Sequence, residues 1–454
     1  MAQETFTFTS STLRSLRLQR EMLELDEHRR ALARRYLPRR ALPASRSSTL
    51  SHQPRYCRDP TVHNALYTGD LQHIQTLFKD QVTANLIVET VSEELLWSTE
   101  LGLWALNPKK KHTSPLRIAA TRGYIDCIKH LIIQGADINA TVGGRAALHD
   151  TCMSHHTECT QFLLKCGANP NILSEDGSAP LHLCTSLETL ECAQLLLEFG
   201  ASVNLTTRDR RMTPLHVAAK HGLEKHVNLY LCNGANFSLR NREGETALNT
   251  ACASADDPQK ASKYYLVVKK LVDGGADVRM AGRKDHTPLH NACGNCHHQI
   301  VDLLLQHGAE VNAVNCAGYA PLDCILQVVE DYLEWQPERI VLALLNHGAV
   351  PVNPKVWKFC SLSPRTLEVL LNSFDRILSC EAWVEVVPPE LWQEHRIVYD
   401  SALQMTNQPR QLQHLARCAL RRYLGGQCHS VVPELKLPEP LKAYLLLQIE
   451  GYIR

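Results

Sequence analysis

The sequence predicts an all-α chain: a solenoid of repeated helix–turn–helix units followed by a small helical module. A leucine preceded by a small residue or Pro recurs at Leu116, Leu148, Leu181, Leu215, Leu248, Leu289 and Leu322, at intervals of 32, 33, 34, 33, 41 and 33 residues. A Gly-Ala pair follows nineteen residues after five of these leucines, at Gly135-Ala136, Gly167-Ala168, Gly200-Ala201, Gly234-Ala235 and Gly308-Ala309. Two motifs in one register define a repeat array. Past the array, Leu412, Leu415, Ala416, Ala419, Leu420 and Tyr423 return at helical spacing, and Gly425-Gly426 stops the run.

Residues 1–55 form a basic arm, with 11 Arg, no Lys and five acids in a chain whose totals are 48 Lys+Arg and 47 Asp+Glu. Leu18, Met22, Leu25, Leu32 and Tyr36 recur at steps of four and three, with Arg29 in the missing place, which reads as a helical stripe. Glu21, Glu24, Asp26 and Glu27 interrupt its basic face, favouring a solvated helix that packs one stripe on the next domain over a partner-binding or lipid-surface helix. Pro38, Pro43, Pro54 and a Ser-rich stretch at 45–51 read as a linker. The balanced total argues against a nucleic-acid-binding chain. No apolar run approaches the roughly 18 residues of a membrane span, and Met1 to Ser11 lacks the pattern of a secretory signal. Cytoplasmic residence is the default reading, and the 17 cysteines are then not a disulfide framework.

Residues 56–111 hold a divergent first unit, where His63-Asn64-Ala65 precedes Gly69-Asp70 and Leu77-Phe78, and then a stretch with Trp97 and Trp104 that leaves the period. Residues 112–350 hold seven units. Thr213-Pro214-Leu215-His216 and Thr287-Pro288-Leu289-His290 show how a unit begins. Thr supplies a capping oxygen, and Pro suits the first helical turn, where its missing N–H is not needed. Apolar pairs such as Leu195-Leu196 and Leu303-Leu304 mark the second helix, and Gly ends it in the left-handed conformation. A polar stretch such as Ser174-Glu175-Asp176-Gly177 turns into the next unit. This period and these motifs resemble the ankyrin repeat, which implies a solenoid whose units share a continuous core and project hairpin fingers. Two insertions, Ala253 to Tyr265 and Gln327 to Arg339, fall between the leucine and the later Gly275-Ala276 and Gly348-Ala349 pairs, so they lengthen the helix–turn–helix and not the fingers.

The repeat register also explains residues that otherwise suggest chemistry. Cys293-Gly-Asn-Cys296-His297 matches a haem-attachment string, yet Cys293 stands four residues after Leu289 in the slot of a small residue packed between helices. Cys152 and Cys252 hold the same slot, and Cys184 sits one place earlier. His149, His182, His216 and His290 recur one residue after their leucines and are expected to hydrogen-bond between units. Pro-Cys-x-x-Cys does not follow His156-Thr157-Glu158, so a zinc deaminase is not indicated. No GxxxxGK(S/T), HExxH or GxSxG occurs. The reading is a non-catalytic protein with no cofactor or metal. One surface feature stands out: Arg208, Arg210 and Arg211, then Arg240 and Arg242, then Arg279, Arg283 and Lys284 fall on three consecutive fingers. Such a ridge suits an acidic or phosphorylated segment of a substrate protein.

Residues 351–404 read as a helical cap and connector. Pro364 to Leu378 is expected as one helix with Leu367, Leu370, Leu371 and Phe374 on a face. Residues 405–454 form the last module, in which a Pro-punctuated loop, Val431 to Pro438, leads to a second short helix from Pro440. Roughly 45 residues present more apolar surface than they can bury alone, which predicts docking on a partner. Pro409-Arg410-Gln411-Leu412-Gln413-His414-Leu415-Ala416-Arg417 and Leu435-Lys436-Leu437-Pro438 resemble the two parts of a SOCS box. With the repeats, the chain is similar to the ankyrin repeat and SOCS box family.

That resemblance implies a substrate-recognition adaptor of a ubiquitin ligase. The SOCS box would dock elongin B–elongin C and cullin-5 with its RING partner, while the array holds a target protein for ubiquitination and degradation. It assigns Leu412, Leu415, Ala416 and Leu420 to elongin binding and Leu437, Pro438 and Leu441 to the cullin. Two positions depart from the pattern: Ala416 stands where Cys is usual, and Lys436 replaces the first proline of the cullin-selecting motif. The alternative class is an ankyrin scaffold or signalling regulator that engages no ligase.

Overall fold

The computed structural model describes residues 55–98, 103–350, 360–377, 386–406 and 408–453; the side chains of 91–98, 103–109, Pro258 and Arg283 lie outside that description. The basic arm expected over residues 1–55 lies outside the described residues, save Arg55.

From residue 114 the chain repeats one construction. A first helix such as Pro214–His221 begins at a Thr N-cap whose hydroxyl accepts the N–H of His216, with Pro214 at the first turn. The second helix, here Glu224–Cys232, returns antiparallel to it, and Gly234 at φ 79° turns the chain out. First helices pack on first helices and second on second: Pro115–Arg122 on Ala147–Met153, Pro214–His221 on Ala247–Ser254, Glu224–Cys232 on Ala261–Asp273. The motif leucines Leu116, Leu148, Leu181, Leu215, Leu248, Leu289 and Leu322 are all buried between them. In the third unit the first helix shortens to a 3-10 turn, Pro180–Leu183.

Two ladders tie unit to unit. In the first, the imidazole Nδ1 of His149, His182, His216 and His290 accepts the N–H of its own helix N-cap residue at 3.1 to 3.3 Å. Nε2–H then donates to a carbonyl of the next unit: Ser178, Leu205 and Met212, Glu245, and Tyr319, at 2.9 to 3.0 Å. This pattern needs the neutral ring, and burial holds all four pKa values below the usual 6.5. Asn249 fills the same slot and reaches Met280 O at 2.9 Å. In the second ladder Asn85, Asn171, Asn204 and Asn312 donate to the carbonyls of Gly135, Gly200, Gly234 and Gly348, the glycines that end neighbouring helices.

The divergent first unit is a helix pair, Pro60–Thr68 and Leu71–Leu77, packed on the two helices of the next unit. After it the helical pattern is interrupted. A strand Ile87–Ser98 (β2) pairs antiparallel with Leu103–Thr113 (β3), in register from Val88↔Thr113 to Trp97↔Trp104, and a short Tyr56–Cys57 strand (β1) lies parallel to β2. Ile87, Val88, Thr90 and Val91 give this segment β-branched character. The insertions lengthen the helix–turn–helix as expected: one adds the 3-10 turn Pro258–Lys260 and extends the second helix to Ala261–Asp273, and the other forms the 3-10 segment Val329–Trp335.

Two expectations are corrected near the C-terminal end. The capping helix runs only over Pro364–Leu371, because Asn372 ends it and Phe374 is only half-buried. The span 431–438 is not simply a loop: Cys428–Glu434 is helical, and burial of Cys428 and Val432 one turn apart outweighs Pro433 in its last turn.

The 16 described cysteines are free thiols. Cys152, Cys184, Cys252 and Cys293 are fully buried in the helix interface, and burial pushes the Cys252 thiol up to about 12. Cys296 is buried too, its thiol pushed up to about 12 by the same cause. Among the described residues no three His, Cys, Asp or Glu side chains gather in a metal-holding group.

Candidate functional site

The last helices, Leu412–Leu424, Cys428–Glu434 and Glu439–Leu445, enclose a small core of Cys428, Val432 and Leu445, with Leu420, Leu424, Leu435, Leu437 and Leu446 packed around it. The Leu412–Leu424 helix has an inverted polarity. Its apolar stripe points outward: Leu412 is 85% exposed, Tyr423 is 87% exposed, and Leu415, Ala416 and Ala419 are exposed between them. Steps of three and four put these residues on one face. Covering Leu412 alone is worth about 1.5–3 kcal/mol.

The opposite face is basic and buried. His414 Nδ1 accepts from Arg410 at 3.2 Å and Arg417 at 2.9 Å, while Nε2–H donates to Phe374 O at 2.7 Å. Burial, then the Arg410 charge, push the His414 pKa down to about 4. Arg417 donates to Asn372 O at 3.0 Å and stacks on the Tyr444 ring, 4.1 Å from its centroid. Arg421 donates to Asn346 Oδ1 and Leu445 O at 2.7 Å and to Leu345 O at 3.0 Å. These acceptors belong to the last turns of helices Pro337–Asn346 and Glu439–Leu445 and to the exit of Pro364–Leu371. Helix C-termini carry unpaired carbonyls and partial negative charge, which explains why arginines hold this joint. Glu368 completes it by accepting the backbone N–H groups of Glu450 and Gly451 at 2.6 and 3.0 Å.

The structure sorts the sequence-predicted residues. Leu412, Leu415 and Ala416 share the outward stripe, to which it adds Ala419 and Tyr423. Leu420 is half-buried and turns into the module's own core, as does Leu437. Pro438 caps the last helix and is exposed, and Leu441 is 41% exposed one turn on. Cys418 is buried beside His414 Nε2 at 3.3 Å, off the Leu412 face.

Three of the finger arginines are engaged in the array itself. Arg240 donates to Gly244 O and to Ala281 O of the next finger at 2.7 and 2.6 Å, Arg242 to Asp209 O at 3.2 Å, and Arg279 to Gly308 O at 3.1 Å. Fingertips are joined through backbone bonds such as Arg242 N–H to Arg210 O at 2.7 Å. Arg208, Arg210 and Arg211 are exposed at the tip, and the Arg208 stem crosses Gly177. Arg283 lies in a 3-10 turn, its side chain outside the description.

A basic hollow of about 730 Å³ lies between the end of β3 and the helix Pro115–Arg122. Lys110, Lys111, His112 and Arg122 line it. The Lys109-Lys110-Lys111-His112 run that marks it is visible in the sequence, but no local residue pattern signals the strand pairing that sets it beside the array.

An array of stacked helix pairs ending in a three-helix module with an outward apolar stripe defines a repeat-type binding protein with a docking module. Its sequence matches the ankyrin repeat description over overlapping windows 116–209, 148–241, 190–264, 215–315 and 259–354, and the SOCS box description over 408–446. The chain belongs to the ankyrin repeat and SOCS box family. It is 55% identical over 454 residues to ankyrin repeat and SOCS box protein 16 of Mus musculus and 54% identical to that of Homo sapiens, each match spanning both chains completely. Ankyrin repeat and SOCS box protein 18 of Homo sapiens is 42% identical over 415 residues, 88% of either chain. Among the described residues no helix is long and apolar enough to cross a membrane.

Proposed function

We propose that this protein is the substrate-recognition adaptor of an elongin–cullin ubiquitin ligase. The supporting observation is the exposed stripe of Leu412, Leu415, Ala416, Ala419 and Tyr423 on a module whose opposite face is fixed to the array. Leu412 inserts into an apolar pocket of elongin C, with Leu415 and Ala416 at its rim. Ala416 is smaller than the Cys usual there, and the lost contact costs about 1 kcal/mol or less. Leu420 and Leu437 act indirectly, by supporting the module core. Pro438 and Leu441 are exposed toward a second partner, the cullin-5 scaffold with its RING subunit. The ankyrin array holds the target protein, which is ubiquitinated and passed to degradation. The adaptor contributes proximity and none of the reacting groups.

The test is purification of the tagged full-length chain from cells. Elongin B and elongin C are expected to copurify at equal stoichiometry, and Leu412→Asp, which buries a carboxylate in an apolar pocket, is expected to remove them. Absence of elongins from the wild-type eluate overturns the reading.

A further inference from the structure

We infer that the joint between the array and the C-terminal module is a pH-operated latch: histidines on both sides of it are neutral while the module is docked, and acid releases the module before the array unfolds. The inference concerns the fold of this chain and stands whether or not the ligase reading does.

The joint is polar. The module's core of Cys428, Val432 and Leu445 is separate from the continuous core of the array, which Leu447 and Ile453 join from the last stretch. What meets the array is the basic face of Leu412–Leu424 and, beside it, His429 of Cys428–Glu434. Such a contact lasts while each donor keeps its acceptor.

His414 is the first titrating element. Its Nδ1 lone pair is the acceptor shared by the Arg410 and Arg417 guanidiniums, at 3.2 and 2.9 Å, while Nε2–H holds Phe374 O at 2.7 Å. A proton on Nδ1 takes that lone pair away and sets a third cation against two. The second element is a pair of stacked rings. His347 follows the last array helix, Pro337–Asn346, and His429 belongs to the module; their centroids lie 3.7 Å apart, with the planes 15° from parallel. Nδ1–H of His347 donates to Ala343 O at 2.8 Å, and Nδ1–H of His429 to Gly426 O at 2.9 Å. Each ring is thus tethered to its own side, so repulsion between protonated rings acts across the joint.

The surrounding charges set the sign. Arg410 and Arg417 face His414, with Cys418 Sγ at 3.3 Å from Nε2; Asp375, from the turn after Pro364–Leu371, is the nearby acid and is itself paired with Arg422 at 3.0 Å. His347 faces His429 and, from helix His298–Gln306, Asp302. Arg421 binds Leu345 O and Asn346 Oδ1 just before it, and the 3-10 turn Gly425–Gln427 brings no charge. Burial, then Arg410, hold the His414 pKa at about 4. Burial, joined by His429, holds that of His347 below 6.5 against the pull of Ala343 O and Asp302. Release of the module returns these rings toward 6.5, so the released state binds more protons. Docking is therefore complete above about 6.5 and weakens as pH falls through it. Glu368 and Asp302, whose carboxyls burial raises, titrate with the opposite sign and offset part of this. The ladder histidines of the array titrate in the same direction as the latch. Their protonation has to unfold helices of a continuous apolar core, whereas release of the module opens one polar joint.

The experiment is hydrogen exchange on the full-length chain at pH 7.5, 6.5 and 6, with rates corrected for the intrinsic pH dependence of exchange. Residues 344–349, 372–375 and 450–453 lie at the joint and off the Leu412 stripe, so a partner bound there does not mask them. Helices Pro214–His221 and Glu224–Cys232 report the array. Exchange at the joint is expected to rise as pH falls, by up to about tenfold per pH unit for each ring that takes up a proton, while the array helices stay protected. His429→Phe keeps a flat ring over His347 that takes up no proton, and should lower the slope. His429→Gln, which has no ring, should lower it too and guards against a packing fault in the Phe variant. His429→Lys sets a permanent charge over His347 and should loosen the joint already at pH 7.5. Joint and array losing protection together, joint exchange independent of pH, or wild-type slopes in both the Phe and Gln variants would each overturn the inference.

Discussion

Replacing Arg421 by Met keeps the aliphatic stem and removes the donors that join the C-terminal module to the array. The guanidinium bonds Asn346 Oδ1, Leu445 O and Leu345 O, at 2.7, 2.7 and 3.0 Å. A hydrogen bond to a charged donor contributes about 1.5–3 kcal/mol, less where water replaces it. A cation near two helix C-termini adds roughly 0.3–1 kcal/mol for each. Allowing for partial rehydration, the joint should weaken by about 3–4 kcal/mol, which is a factor of roughly 100 to 1000 in the population of the undocked module. Native-state hydrogen exchange across Leu412–Leu424 and Glu439–Leu445 reads that population directly. The control is Arg422→Met. Arg422 is 73% exposed and pairs with Asp375 at 3.0 Å, and such a pair contributes roughly 0–1 kcal/mol. Equal protection in the Arg421 and Arg422 variants would refute the view that buried guanidinium donors, and not surface charge, fix the module.

Acid should unfold the protein from about pH 6.5 downward. Among the described residues nine histidines have folded pKa values below 6.5, led by His226 and His414 at about 4. The unfolded chain therefore binds more protons in this window, and stability, fully present above 6.5, is lost as pH falls, at up to about 1.4 kcal/mol per pH unit for each such ring. Glu245, Asp302 and Glu368, whose carboxyls are raised by burial, act with the opposite sign and offset part of it. Urea midpoints at pH 7.5, 6 and 5 check the direction, and a flat profile contradicts it. At the ladder, His290→Leu should cost about 2–3 kcal/mol by leaving Thr287 N–H and Tyr319 O unpaired, whereas His290→Asn should cost about half as much, since Asn249 in the same slot makes the donor bond to Met280 O while its Oδ1 accepts no N-cap N–H. Chemical denaturation of the two variants tests the difference. Gly348→Ala should be worse than Gly200→Ala: both positions have φ near 90°, but an added Cβ at Gly348 would stand 2.8 Å from Gly426 Cα while at Gly200 it meets nothing. The shared backbone strain is about 1–2 kcal/mol, so any excess in the Gly348 melting shift measures the close approach of array and module.

What the sequence made legible was what repeats. Each leucine, each His slot and each terminal Gly recurs at a fixed interval, so one packing rule explains seven positions at once, including the buried cysteines. The hairpin was illegible because its pairing is non-local: nothing in Leu103–Thr113 alone, which contains Pro108, signals a strand, and only the register with Ile87–Ser98 makes it one. Pro108 is tolerated because β3 is the edge strand of the sheet. The finger arginines were legible as a charge pattern but not as bonds. Whether Arg240 waits for a partner or holds Ala281 O depends on the spacing of adjacent fingers, which no residue type encodes. Similarly, helical spacing found the Leu412 stripe but grouped Leu420 with it. Only the packing of Cys428 and Val432 against the same helix turns Leu420 inward.

The inverted helix Leu412–Leu424 joins these observations. An ordinary surface helix buries its apolar stripe and exposes charge; this one exposes Leu412 and Tyr423 and buries His414 and Arg417, with Arg410 buried just before its first turn. Burying polar groups costs free energy unless their bonds are made with particular partners in a particular geometry. An apolar seat would tolerate sliding between neighbouring packings, whereas guanidinium donors aimed at the carbonyls of Asn372 and Leu345 accept one arrangement. The basic face thus fixes the direction in which the apolar stripe points relative to the array. On the proposed adaptor function, that fixed direction matters more than added stability, because effective concentration depends on whether both sites can be engaged in one geometry. The Arg421→Met variant bears on this as well. If its elongin binding is retained while its module loosens, transfer to a target held by the array should fall without any loss of affinity for either partner. A loosened module with undiminished transfer would show that the rigid joint has no part in function.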